Sequence, residues 1–235
     1  MHDRIYDSIC EVVGSTPIIR LKRIPENDWS EILVKLESLN PGGSVKDRIG
    51  LSMIEAAERD GRLKPGGTII EATSGNTGIG LAMVCAAKGY KAILTMPDDV
   101  NIERVALLRA YGARVILTHR LELMQGAIDK AEEILAEHPD YFMPQQFRNP
   151  ANPQVHRETT AQEILHVIGD KLDALVVGIG TGGTATGTGE ILKQKMKNMQ
   201  LVAVEPEDSP VLSGGKPGEH KIQGIGAGFI PAVLN

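Results

Sequence analysis

Apolar positions recur along this chain in two alternating rhythms. Short runs rich in Ile, Val, Leu and Ala are followed by longer stretches with a repeat of three to four residues. The short runs predict strands over Ile32–Glu37, Thr68–Glu71, Lys91–Thr95, Arg114–Leu117, Ala174–Ile179 and Leu201–Val204. The longer stretches predict helices near Val45–Asp60, Thr77–Lys88, Ile102–Tyr111, Leu121–Glu137, Asn152–Ile168 and Ala185–Lys197. In the second of these, Ile79, Ala82, Met83, Ala86 and Ala87 share one helical face, and Gly89 marks its end. Strand–helix–strand alternation at this spacing implies an α/β fold of parallel sheets flanked by helices. Ala174–Val177 is continuously apolar, which predicts a strand buried on both faces. The polar stretch Gln146–Pro153, with prolines at 150 and 153, predicts a domain boundary.

Composition narrows the class. A chain of 235 residues holds one large domain or two small ones, and either can bury a core. Aromatics are only 3%, so that core is aliphatic. A net charge of -5 argues against a nucleic-acid partner, which needs clustered Lys and Arg. Cys10 and Cys85 show neither metal-ligand nor CxxC spacing, so no metal site or disulfide is expected and a reducing cytoplasm is. The start at Met1–Arg4 has no apolar leader core, and the longest apolar stretch, Ile79–Ala87, is too short to span a bilayer. A soluble, unexported protein with no membrane contact is the expectation.

Three segments carry candidate chemistry. In Asn40–Arg48 (NPGGSVKDR), Ser44 and Asp47 have capping-box spacing, so a helix should begin there with Lys46 in its first turn. Ile49 and Met53 follow at i+3 and i+7, which puts the lysine stem on the apolar face. Burial and the positive end of the helix dipole both disfavour the ammonium form, as a Schiff-base lysine requires. A lysine snorkelling to the surface is the ordinary alternative. Thr73–Gly78 (TSGNTG) follows a strand and opens a helix, so its amides and hydroxyls suit a carboxylate or phosphate. A plain polar turn capped by Asn76 or Thr77 is the rival there. Gly178–Thr184 (GIGTGGT) follows the most apolar strand and suits a phosphate cradle, or merely tight packing. Gly178, Gly180 and Gly183, with Glu205 closing the next strand, also satisfy a dinucleotide fingerprint. An NAD(P)-dependent oxidoreductase therefore stays open on that loop, although it leaves the other two segments unexplained.

Together with Gln145-Gln146-Phe147, Asn149–Pro153 and His220–Phe229, these segments resemble the cysteine synthase (O-acetylserine sulfhydrylase) branch of the fold-type-II pyridoxal-phosphate enzymes. The likeness runs in order from about Ile9 to Asn235. It implies a two-lobed, tryptophan synthase β-like fold. Residues 40–150 would form a smaller domain with the substrate loop, and 1–39 with 151–235 a larger cofactor-phosphate domain, incomplete at its C-terminus because the family pattern continues past Asn235. It further implies that Lys46 carries pyridoxal 5'-phosphate, that Asn76 bonds the cofactor's ring hydroxyl, and that Gly180, Thr181, Gly182, Gly183 and Thr184 bind its phosphate. Thr73, Ser74, Gly75, Thr77 and Gln146 would hold the substrate carboxylate, and Gly224, Ile225, Gly226 and Ala227 would line the site. The implied reaction is β-replacement, forming L-cysteine from O-acetyl-L-serine and sulfide in a homodimer. The stretches Asp98–Val105 and His119–Leu123 depart from the family's usual pattern. They leave room for a cystathionine β-synthase-like or O-phosphoserine-using enzyme, or for a cofactor-binding but inactive regulatory paralogue.

Overall fold

The computed structural model describes residues 4–23 and 30–235. The leader reading at 1–3, and the part of the larger-domain assignment at 24–29, lie outside them. After a short 3-10 helix over Ile9–Val12, the described chain forms a small antiparallel pair, β1 (Ile18–Arg20) on β2 (Leu33–Lys35), with Ile19 opposite Val34. The apolar pattern predicts β2 but not β1. Three residues are too few to show an alternation, and only the pairing with β2 makes that segment a strand.

A parallel sheet follows, interleaved with helices as predicted. After α1 (Lys46–Arg59) come β3 (Thr68–Ala72), α2 (Asn76–Lys88), β4 (Lys91–Pro97), α3 (Ile102–Ala110), β5 (Arg114–Thr118) and α4 (Leu123–Glu137). The strands lie in the order β3-β4-β5. Successive side chains take opposite faces. Ile69, Leu94 and Met96 pack with the buried residues of α1, α2 and α3, whereas Ile70 and Ile93 pack with Ala131 of α4. Thr95 Oγ1 fastens α4 by donating to Ala127 O at 2.7 Å. At the other edge of β3, Ile70 N donates to Phe142 O and Phe142 N to Thr68 O, each at 2.9 Å. That bridge lays the chain at 142–146 beside the end of β3.

The remaining elements are α5 (Ala151–Val155), a widened π turn over His156–Thr160, α6 (Ala161–Ile168), β6 (Ala174–Gly178), α7 (Gly183–Lys195) and β7 (Gln200–Val204). α5, the π turn and α6 make the single helical path expected from the sequence. β6 and β7 pair in parallel. Here one expectation fails: β6 is not buried on both faces. Leu175 packs with Ile164 of α6 and Leu192 of α7, but Val176 on the opposite face is 64% exposed, and Val202 and Val204 of β7 are exposed as well. Both helices sit on the Leu175 side. The cap of α1 also differs in detail. Ser44 Oγ accepts from Lys46 N at 3.1 Å, one residue short of the expected position, and the Asp47 carboxylate reaches back to the amides of both Ser44 and Gly42.

Candidate active site

Lys46 is the first residue of α1, with Ile49 and Met53 buried along its face as predicted. Burial lowers the pKa of its amine. Among the described residues no hydrogen bond or ion pair reaches Lys46 Nζ. The neighbouring charges are organised around Arg48, which is 1% exposed. Its Nε and Nη2 donate to Glu37 at 2.7 and 2.9 Å, and its Nη1 and Nη2 donate to Glu163 at 2.6 and 2.8 Å. Lys35 Nζ also meets Glu163, at 2.6 Å. Burial would raise the Glu163 carboxyl, but bonds from Arg48 and Lys35 bring it down to about 2. Arg48 thus ties the start of α1 to the 3-10 turn after β2 and to α6, and Lys35 of β2 joins the same cluster through Glu163.

The TSGNTG loop turns from β3 into α2. Thr73 is buried; its N–H donates to Thr95 O at 3.0 Å and its hydroxyl accepts from Gly75 N at 3.3 Å. Ser74 O accepts from Arg104 Nη1. Thr77 is buried and donates to Gln146 Oε1 at 2.6 Å. Asn76, by contrast, is exposed. A Cβ on Gly80 would stand 2.8 Å from Lys46 O, so only glycine lets α2 lie this close to the start of α1.

The glycine loop sits at the N-terminus of α7. Thr186 N to Gly182 O, at 2.9 Å, is the first bond of that helix, so the amides of Thr184 and Ala185 lie ahead of the ladder, with no partner among the described residues. Thr181 Oγ1 accepts from Asn152 Nδ2 at 2.9 Å, and Asn152 Nδ2 also donates to Gln146 O at 2.8 Å. A Cβ on Gly183 would come within 1.8 Å of Asn152 Oδ1. Thr184 Oγ1 lies 3.2 Å from His156 Nε2, and His156 Nδ1 lies 2.9 Å from Thr160 Oγ1. Burial lowers His156 to about 3, helped by the charges of Arg48 and Lys46. The segment Gly224–Ala227 closes beside this loop, with Gly226 N donating to Ile179 O at 2.9 Å.

The tertiary structure therefore joins the three separate segments. Thr77, Gln146, Asn152 and Thr181 form a continuous hydrogen-bonded path from one loop to the other, and His156 connects Thr184 with the surroundings of Lys46. Sequence reasoning missed Asn152 and His156 as parts of it. They lie four residues apart on one helical face, a spacing that could have marked them as partners. It also missed Glu71, whose fully buried carboxylate accepts from Gln145 N at 2.9 Å and from Gln146 N at 3.1 Å. Burial pushes this group up to about 7 despite the two amides. Glu205, the residue a dinucleotide would need for its ribose, instead accepts from Leu212 N and from the amide and hydroxyl of Ser213.

Residues 9–235 match the family of pyridoxal-phosphate dependent enzymes. The chain belongs to that family. A cysteine synthase of Staphylococcus aureus (strain Mu50 / ATCC 700699) is 57% identical over 236 aligned positions, covering 100% of this chain and 76% of the relative. A crystal structure of a cysteine synthase from Entamoeba histolytica matches with a TM-score of 0.96 at 45% identity, over 100% of this chain and 71% of that one. An O-acetylserine dependent cystathionine β-synthase from Helicobacter pylori matches with a TM-score of 0.90 at 43% identity, over 97% and 75%. These likenesses establish the two-lobed fold of this pyridoxal-phosphate family and replace the oxidoreductase reading. No helix among the described residues is long and apolar enough to cross a membrane.

The residues present fit the family's cofactor on three observations. Among the described residues, Lys46 offers a desolvated amine with no partner, the start of α7 offers amides with no partner, and Asn152 Oδ1 is buried without a donor beside the glycine that lets the loop close.

Proposed function

We propose that this pyridoxal-phosphate enzyme performs β-replacement of the cysteine synthase type, joining sulfide to the β-carbon of O-acetyl-L-serine with loss of acetate. The observation that carries the reading is the Thr77–Gln146 hydrogen bond, 2.6 Å long and buried, at a loop beside the start of the lysine helix. It gathers hydroxyls, amides and a carboxamide where an amino-acid carboxylate would need them. The 57% identical cysteine synthase supports the same reading.

When bound, the cofactor supplies an electron sink at the substrate's α-carbon. The chain's own residues do the rest. Lys46 would hold the cofactor, and its neutral Nζ would take the substrate's Cα proton as general base. Thr73, Ser74, Gly75, Thr77 and Gln146 hold the carboxylate, which fixes the Cα–H towards that amine. Gly180–Thr184 bind the cofactor phosphate through the open amides of α7. Asn76 bonds the ring hydroxyl, and Gly224, Ile225, Gly226 and Ala227 line the site. Residues 40–150 form the smaller lobe, with the described residues of 1–39 and 151–235 in the larger. The enzyme works in the cytoplasm as a homodimer.

A second reading, O-acetylserine-dependent synthesis of cystathionine, is favoured by the 43% identical Helicobacter pylori enzyme. Two measurements decide between outcomes. Borohydride reduction of the cofactor-loaded protein should label one peptide, that of Lys46, and Lys46→Ala should abolish the label. Values of kcat/KM with O-acetylserine, O-phosphoserine and serine, each with sulfide and with homocysteine, should be highest for O-acetylserine with sulfide. A label elsewhere, or a preference for homocysteine, would overturn the assignment.

A further inference from the structure

Glu71 ends a predicted strand, but none of the candidate loops and no step of the proposed mechanism uses it. It is nonetheless a fully buried carboxylate whose two oxygens are each assigned to a backbone amide. The bridge between β3 and Phe142 ends at Ile70 N, and past it the chain at 143–146 leaves the strand direction. The Glu71 side chain then supplies the acceptors that a strand neighbour would have supplied. Gln145, the first amide it holds, has φ +56°, a left-handed conformation that a side chain with a Cβ disfavours. Gln146, the second, carries the carboxamide that accepts from Thr77.

From this geometry we infer that Glu71 is a positioning residue for the amino-acid substrate. It holds the strained Gln145 turn so that Gln146 and Thr77 meet at the carboxylate subsite. A carboxylate suits the position because it accepts on both oxygens. A glutamine there would turn an N–H donor towards one of the two backbone N–H groups. The inference rests on the reading of Gln146 as part of the carboxylate site.

The test uses the cofactor-loaded protein with Glu71→Gln, Gln145→Gly and the double variant. The readouts are Kd for L-alanine, which has no leaving group, together with KM and kcat for O-acetylserine and cofactor content. Glu71→Gln should raise Kd and KM about tenfold, with kcat and cofactor content within about twofold. Gln145→Gly removes the strain that Glu71 offsets, so the double variant should recover most of the lost affinity. Glu71→Asp, with both acceptors one methylene short, should show the same pattern at smaller amplitude. Unchanged binding in Glu71→Gln overturns the role. So does a matched loss of cofactor and melting temperature that Gln145→Gly fails to rescue. Wild-type protein that binds L-alanine but does not turn over O-acetylserine overturns the donor assignment, while a weakened Kd in Glu71→Gln still supports this one.

Discussion

Asn152 Oδ1 stands 1.8 Å from the point where a Cβ on Gly183 would sit, so the glycine loop closes against a side chain that is itself fully buried. Asn152 cannot swing away cheaply, because its Nδ2 spans Gln146 O and Thr181 Oγ1. Gly183→Ala should therefore move the loop and break that pair of bonds together. We expect a loss of about 1–3 kcal/mol in stability from overpacking, and cofactor affinity at least about tenfold weaker. Urea midpoints and cofactor titration measure the two effects. Wild-type cofactor affinity in this variant would show that the loop does not need its present geometry.

Arg48 neutralises two carboxylates at once, and those carboxylates belong to distant parts of the chain. Arg48→Ala leaves Glu37 and Glu163 facing each other without a guanidinium, and should cost about 3–5 kcal/mol. Arg48→Lys keeps the charge but not the fork, so it should fall between the two. Because the cluster is buried, added salt should recover little of the loss. Denaturation in low and high salt checks both statements.

His156 makes stability depend on pH in a definite direction. Its folded pKa is about 3, well below the ordinary histidine value, so between about pH 6.5 and 3 the unfolded chain binds a proton that the folded chain refuses. Its contribution is thus present above the unfolded pKa and is lost as pH falls through that window. Glu71 and Asp47, raised by burial to about 7 and about 6, act in the opposite sense over part of the same range. The comparison of wild type with His156→Gln isolates the histidine. The wild-type stability should fall more steeply on acidification, by up to about 1.4 kcal/mol per pH unit. Parallel curves would mean that His156 is protonated in the folded protein.

Lys46 should behave as a functional residue that the fold does not require. Its amine has no partner among the described residues, and its desolvated surroundings disfavour the charged form. Lys46→Met in the cofactor-free protein should keep or raise the melting temperature while eliminating turnover. A marked drop in melting temperature would show that the lysine is a packing residue.

The local periodicities were a reliable guide to elements. The helices and all strands but β1 lie within a few residues of the positions predicted, because three-to-four-residue and two-residue repeats are properties of a contiguous stretch. The inward face of Lys46 was legible for the same reason. The side of β6 that α6 and α7 take was not, because an apolar run cannot say which face a helix will cover. The Glu71 carboxylate was also hidden, since its partners lie 74 and 75 residues away in the chain.

What the sequence determined by itself was the alternation of strands and helices, the placing of a lysine in a first helical turn, and two small-residue loops at strand ends. Each follows from interactions among near neighbours. Only the tertiary structure decided that these pieces share one site. The bridge of Phe142 to β3 brings Gln146 to Thr77, and the close passage of Gly183 over Asn152 brings the second loop to the same path. Those contacts join groups dozens of residues apart, and buried polar atoms find such partners only when the layers have packed and water is excluded.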